Sequence, residues 1–132
     1  MSSLDDIIRS SPVIVHPDRY AYLAVDQLPA GGDHLMVYAH GGDRTVVTRE
    51  ELVPSVPHVA CESWFRLLEC LTSTPFESPG FLARITDAIA SAGLNVLIVS
   101  TFSRDCALVR QQDLDTALDA LRAIGFEIRM AG

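Results

Sequence analysis

The sequence predicts an α+β fold in which antiparallel strands form a sheet and the helices pack on one face of it. The prediction rests on the stretch from Trp64 to Ile128, where the apolar spacing changes from that of a strand to that of a helix and back, twice. Gly93 and Gly125 follow the two helical stretches, at the position where a glycine commonly ends a helix. The resulting order, βαββαβ, is typical of a ferredoxin-like unit.

In the second half of the chain, each element is predicted from its own signals. Trp64–Leu71 alternates like a strand, and a helix is expected to begin with Ser78 as its N-cap and Pro79 as its first residue. Val96–Thr101 is almost entirely apolar, which predicts a strand in the centre of the sheet. The remaining expected elements are a strand at 106–109, a helix at 113–124 and a strand at 126–130.

The first half is predicted to consist mostly of strands and turns. Four short extended runs between residues 13 and 47 are separated by turn residues. Thr48 and Glu51 have the spacing of a capping box, which predicts a short helix after the last of these strands. Because this half lacks a long helix after its first strand, we expect 1–62 to be a degenerate half or one whose elements are exchanged with the second half. The complete unit is expected at 63–132.

Composition and charge argue against several classes of partner. Of the 132 residues, 48% are hydrophobic, which is enough for a core, and the net charge is −7. The basic residues are scattered and the aromatics few, which argues against a nucleic-acid partner. An acidic surface disfavours anionic membranes, and neither a signal-peptide pattern nor an apolar run of membrane-spanning length is present. We therefore expect a cytoplasmic protein with no nucleic-acid or membrane partner.

The sequence shows no pattern of catalytic or metal-binding residues. The three cysteines lack Cys-x-x-Cys spacing and the four histidines are dispersed, which argues for reduced thiols and against a metal site. Ser100, Ser103 and Cys106 have no histidine nearby in the sequence that could activate them as nucleophiles. The paired glycines join strand-like runs and open no helix, so a phosphate loop is not indicated. We expect no enzyme activity, no metal and no cofactor.

Three motifs in the second half carry a resemblance to a known family. They are Gly80 at a helix start, the run Ala92–Val96, and the pattern Ser-Thr-Phe-x-x-Asp-x-Ala-Leu-Val at Ser100–Val109. Together they resemble the ACT domain, above all the ACT domains of aspartate kinase regulatory regions and of CASTOR-type arginine sensors. Thr48–Leu52 and Trp64 add a weaker likeness to small stand-alone proteins with two ACT-like halves. The resemblance implies a non-catalytic, amino-acid-binding regulatory protein with a degenerate ACT-like half at 1–62 and an ACT domain at 63–132.

The resemblance also implies a ligand site made by the loop before a helix and by the turn between two strands. Its residues are Phe76, Glu77, Ser78, Gly80, Phe81, Thr101, Phe102, Arg104 and Asp105.

Physical chemistry indicates how such a site would hold a small amino acid or a related carboxylate. Unpaired amides at a helix start can receive a carboxylate, and Asp105 can receive an ammonium group. The three phenylalanines of the set would line the side-chain pocket. Ser78 and Arg104 stand where the arginine sensors carry an acidic and an aromatic residue, so arginine itself is not specified.

Each of these residues also has an ordinary structural interpretation. Ser78–Gly80 can be a helix cap, Asp105 a turn residue that bonds its own backbone, Phe81 a core residue and Arg104 a solvated turn residue. In that case the chain is a ligand-free module for dimerisation or assembly that acts through a partner protein. We expect a homodimer under either interpretation, because small halves leave sheet edges and helix faces to cover.

Overall fold

The structure, a computed structural model, describes residues 3–72 and 77–132. In chain order the elements are α1 (Leu4–Arg9), β1 (Val13–Ala24), β2 (Met36–His40), β3 (Asp43–Arg49), a 3-10 helix (Glu50–Ser55), β4 (Ala60–Cys70), α2 (Phe81–Ser91), β5 (Leu97–Ser100), β6 (Asp105–Arg110), a second 3-10 helix (Gln111–Asp113), α3 (Leu114–Ala123) and β7 (Ile128–Met130). The mixed composition and the order of the second half confirm the predicted α+β, ferredoxin-like class.

The chain divides into two compact units. The first comprises Met1–Pro17 and Arg66–Gly132, and the second comprises Asp18–Phe65. The strands β1 and β4 each contribute residues to both units, so the first unit is discontinuous in sequence. These units have other bounds than the two ACT-like halves expected at 1–62 and 63–132. The two halves were predicted as a duplication of one fold, and that duplication stays a prediction.

The core of the first unit lies between its sheet and its helices. Ile85 and Ile89 of α2 and Leu121 of α3 are each at most 1% exposed, and burying such a side chain contributes about 1.5–3 kcal/mol. The rings of Phe81 and Phe126 meet edge to face, with centroids 5.7 Å apart. The helical periodicity in the sequence therefore identified the buried faces correctly.

In the first unit the strands are ordered β7, β1, β4, β6, β5. The strand β7 pairs in parallel with the start of β1, with Val13 opposite Ile128. The strand β5 pairs antiparallel with β6, with Ser100 opposite Asp105, and ends this order. The prediction of a central strand at 96–101 was wrong, because residues 97–99 are only half-buried while all of 105–109 is buried. The apolar run at 96–101 therefore does not mark a strand that is buried on both faces of the sheet.

The helix α2 begins differently from the prediction, and both long helices end as predicted. Gly80 is the N-cap, with φ at +83°, and no side chain caps the helix. The predicted roles of Ser78 as N-cap and Pro79 as first residue were wrong, because the chain enters the helix through the left-handed glycine. Gly93 and Gly125 adopt φ of +83° and +110° directly after the helices, as predicted.

The second unit is a small antiparallel sheet with its own apolar cluster. The strands β2 and β3 form a hairpin, and β3 pairs with the later part of β1. The cluster contains Leu23, Val46 and Val56, against which Trp64 packs. The predicted capping box at Thr48 was wrong, because the Thr48 hydroxyl pairs with His34 and the following 3-10 helix has no side-chain cap.

Candidate functional site

The turn between β5 and β6 is held by hydrogen bonds around one threonine. The Thr101 hydroxyl oxygen accepts the amides of Arg104 at 3.0 Å and Ser103 at 3.4 Å. The Thr101 amide donates to the Arg104 carbonyl at 2.8 Å. The predicted site residue Thr101 therefore fixes the conformation of the turn.

Asp105 is a buried carboxylate at the first position of β6. The residue is 7% exposed, and its Oδ1 atom accepts the Ser100 hydroxyl at 2.8 Å. It is a strand residue bonded across the β5–β6 pair, so its side chain is fixed in place. A buried ionised carboxylate has room for several hydrogen bonds and is costly to leave incompletely satisfied.

Arg104, in the turn before β6, is the first of a row of ionisable side chains that continues to β4 and β1. Its Nε atom lies 3.7 Å from Glu69 Oε1, and the same carboxylate oxygen lies 3.6 Å from His16 Nε2. The Arg104 Nη1 atom also donates to the Ser103 carbonyl at 3.1 Å. Since its guanidinium is directed to Glu69 and to its own turn, Arg104 is more than a solvated turn residue.

Two buried thiols show that the end of β4 is close to the start of β6. Burial raises the pKa of Cys70 to about 12, and the negative charge of Asp105 adds to the effect. Burial raises the pKa of Cys106 to about 11, with further contributions from Glu69 and Asp105. Both cysteines are therefore inert thiols near neutral pH, and neither is a candidate nucleophile.

The start of α2 contributes fewer of the predicted contacts. Glu77 is exposed and Ser78 is half-buried, and the Phe81 amide already donates to the Ser78 carbonyl at 3.1 Å. A Cβ atom at Gly80 would lie 3.3 Å from Leu4 Cδ2, so α1 packs close to this glycine. The substitution of Gly80 would disturb the fold as well as any ligand.

The predicted aromatic lining is not assembled among the described residues. Phe81 is 2% exposed and packs on Phe126 in the core, whereas Phe102 is 86% exposed at the turn. Phe76 lies outside the described residues. The expectation that Phe81 and Phe102 line one pocket was wrong, because the first belongs to the core and the second points to solvent.

A cleft in the second unit was not predicted from the sequence. It has a volume of about 710 Å³ and is lined by residues 26–32, 34, 52 and 55–59. The segment before β2 forms one wall, and the end of the 3-10 helix with the chain leading to β4 forms the other. Both segments have turn-like composition without periodicity, so a sequence pattern could indicate loops there but not that they enclose a space.

Among residues 3–72 and 77–132, no three histidine, cysteine, aspartate or glutamate side chains converge as metal ligands. None of the helices in these ranges is long and apolar enough to cross a membrane.

Comparison with known proteins points to one family. A family model described as the ACT domain matches residues 68–123, which cover β4 from Leu68 to the end of α3. No curated protein matches the chain.

Several solved structures are similar to the chain over nearly their whole length. A protein from Agobacterium tumefaciens has a TM-score of 0.79 at 19% identity, over 92% of this chain and 94% of that one. A protein of unknown function from Vibrio cholerae, described as a possible transport protein, has a TM-score of 0.78 at 16% identity, over 92% and 95%. The regulatory subunit of aspartate kinase from Thermus flavus has a TM-score of 0.63 at 14% identity, over 86% and 96%. At these identities the likeness shows the fold.

Proposed function

We propose, from the match of residues 68–123 to the ACT domain model, that the chain is a non-catalytic regulatory protein that binds a small amino acid or a related carboxylate. The aspartate kinase regulatory subunit that shares its fold supports the regulatory role. The main support for ligand binding is Asp105, a buried carboxylate that accepts the Ser100 hydroxyl beside the turn at 101–104.

The proposed site comprises the start of α2 and Ser100–Asp105. The ammonium group of the ligand would take its place beside the Asp105 carboxylate, in a charge-assisted hydrogen bond. The ligand carboxylate would receive the amides of Leu82 and Ala83, which belong to the first helical turn and have no partner within the helix. The Phe81 amide is excluded from this role because it donates to Ser78.

Arg104 sets an expectation for the ligand's side chain. Because its guanidinium lies near Glu69, an acidic ligand group would have to compete with that carboxylate. A neutral side chain meets no such competition. We therefore favour a small neutral amino acid, and Arg104→Ala should change its affinity little.

The test is a thermal-shift panel of the twenty amino acids, followed by calorimetry on any that stabilises the protein. Asp105→Asn should reduce the affinity about tenfold to a hundredfold, since a charge-assisted bond contributes about 1.5–3 kcal/mol. Asp119→Asn is the matched control, because Asp119 is exposed on α3 and pairs with Arg122. If no amino acid produces a shift or heat, or if Asp105→Asn binds as tightly as the control, the proposed site is wrong.

A second candidate function is assembly without a ligand. It is favoured by exposed apolar side chains on the hairpin strand β2, where Val37 is 48% and Tyr38 is 44% exposed. Such an edge can pair with a second copy of the chain, and the proposed state is a homodimer. Sedimentation at micromolar concentration should give a dimer, and Val37→Glu should shift it towards monomer. A wild-type monomer would refute this candidate.

With no catalytic family matched, the signal would pass to an unidentified protein target, without a cofactor and without nucleic-acid or membrane partners. A cytoplasmic location agrees with three free thiols at Cys61, Cys70 and Cys106. The residues 1–62 would be a degenerate ACT-like half beside the ACT domain in 63–132.

A further inference from the structure

The cleft of the second unit has the size and construction of a small-molecule site. Its volume of about 710 Å³ lies within the range of about 300–1,000 Å³ that is usual for such sites. All of its lining residues belong to Asp18–Phe65, so the cleft is a property of this unit alone. Neither the ACT family match nor the site around Asp105 involves these residues.

The wall formed by the 26–34 segment is fixed by one histidine. His34 Nε2 lies 3.1 Å from the Gly31 carbonyl, which can only accept, so this nitrogen carries a proton. In the neutral ring, Nδ1 then accepts the hydroxyl of the fully buried Thr48 at 2.9 Å. A Cβ atom at Gly32 would lie 2.5 Å from His34 Nε2, so only glycine allows this close approach. His34 therefore holds this wall of the cleft in place.

Two of the apolar side chains that line the cleft are exposed to solvent. Leu28 is 42% and Val59 is 67% exposed, and both line the cleft together with Leu52 and Val56. Covering such surface is favourable by about 25 cal/mol per Å² removed from water. The ligand should accordingly have an apolar body.

The lining carries one formal negative charge, besides the neutral polar side chains of Gln27, His34, Ser55 and His58. Asp26 is the one formally charged residue of the lining, all of which lies in the described part of the chain, and the lining contains no arginine. His58 Nδ1 donates to the Val56 carbonyl at 2.8 Å, so the neutral ring keeps Nε2 as an acceptor. A carboxylate or phosphate would meet repulsion here, whereas an ammonium group has three donors and the complementary charge.

We propose that this cleft binds a small primary amine with an apolar body, whose ammonium group pairs with Asp26 and whose body covers Leu28 and Val59. Binding at this cleft is independent of binding at the site around Asp105. A second copy of the chain or a peptide segment could occupy the cleft without a free ammonium group. Dependence of binding on that group therefore distinguishes the proposed ligand from these alternatives.

The single tryptophan supplies a local readout. Trp64 packs against the cluster that contains the lining residue Val56, so its emission should respond to an occupied cleft. Phenethylamine is the probe. The control is 3-phenylpropionate, which has a similar size and the same phenyl ring but carries a negative carboxylate in place of the ammonium group. We expect a saturable change in emission with the amine and at least tenfold weaker binding of the carboxylate.

Three variants localise the interaction. Asp26→Asn should weaken phenethylamine by up to about fivefold, because Asp26 is exposed and an exposed ion pair contributes about 0.2–1 kcal/mol. Asp33→Asn is the control, because it removes the same charge from the same segment but outside the lining. His58→Asn keeps a donor for the Val56 carbonyl and removes the Nε2 acceptor, so it should also weaken the amine.

The proposal is overturned by any of three results. The first is no saturable response to phenethylamine at millimolar concentration while circular dichroism shows a folded protein. The second is equal or tighter binding of 3-phenylpropionate. The third is equal affinity of Asp26→Asn and Asp33→Asn. Failure of the amino-acid panel would count against the site around Asp105 and would leave these outcomes unaffected.

Discussion

The two units present their polar groups in opposite ways. In the first unit, Asp105 is buried and bonded to Ser100, and Arg104 lies beside Glu69, so the charged groups are largely engaged within the protein. In the second unit, Asp26 and His58 line a cleft whose wall is fixed by other residues. In the first unit, a ligand can use only the hydrogen-bonding capacity that Asp105 and Arg104 have left. In the second unit, Asp26 and His58 are presented to a ligand on the lining of the cleft. A family motif and an open cavity can thus point to different places in one small chain.

The largest expected effect tests where the stability of the first unit resides. Ile89→Ala removes a fully buried side chain of α2 and should lower the free energy of unfolding by about 2–5 kcal/mol. Val37→Ala on β2 of the second unit should cost less than about 1 kcal/mol, because Val37 is half-exposed. Urea unfolding followed by far-ultraviolet circular dichroism measures both. Similar losses for the two variants would contradict the assignment of the core.

Two glycines, one in each unit, allow the cost of an added Cβ atom to be compared at nearly the same backbone conformation. Gly80 and Gly42 have nearly equal φ, +83° and +87°, but only Gly80 has a neighbour near its missing Cβ. Alanine should cost about 1–2 kcal/mol at Gly42 from the left-handed conformation alone, and more at Gly80 because Leu4 must shift. Gly31→Ala, in open space and without positive φ, is the control and should change the free energy of unfolding little. A smaller loss at Gly80 than at Gly42 would show that α1 does not pack there.

The smallest effect at neutral pH concerns the thiols, whose contribution to stability changes only in alkaline solution. Cys70 and Cys106 keep their protons in the folded state up to about pH 12 and 11, above the value of about 8.5 for an unfolded chain. Their contribution to stability is therefore complete below about pH 8.5 and is lost as the pH rises, by up to about 1.4 kcal/mol per pH unit for each thiol. Cys106→Ser should reduce this slope between pH 9 and about pH 11.

Cys61 provides the contrast for the thiol prediction, because it is exposed in the second unit. With a disulfide reagent at pH 8, one thiol of three should react rapidly, and Cys61→Ser should abolish that fast phase. Cys61→Ser should also leave the alkaline stability slope unchanged. Rapid reaction of two or three thiols in the folded protein would refute the burial of Cys70 and Cys106.

The sequence was informative where one physical rule governs many consecutive residues. The helical spacing of Ile85, Ile89 and Leu121 gave the buried faces, and Gly93 and Gly125 gave the helix ends. The order of elements gave the fold class. Such patterns repeat over several turns, so that a single exception does not hide them.

The sequence was uninformative where the conformation or hydrogen bond of one residue depends on a residue far away in the chain. Ser78 had the composition of an N-cap, but the chain turns at Gly80, against which Leu4 packs. Thr48 had capping-box spacing, but its hydroxyl is used by His34. The cleft could not be predicted, because two segments without periodicity have to be folded before they enclose a volume.

The discontinuity of the first unit has a consequence for synthesis on the ribosome. The second unit, Asp18–Phe65, is contiguous and can fold as soon as it leaves the exit tunnel. The start of β1 leaves the tunnel earlier and lies between two strands, β4 and β7, of which β7 is among the last residues to be made. Nascent chains stalled before β7 should therefore protect the second unit from protease, while the side of Val13–Val15 that pairs with β7 still lacks its partner strand. One of the earliest strands to be made would then complete its pairing only at the end of synthesis.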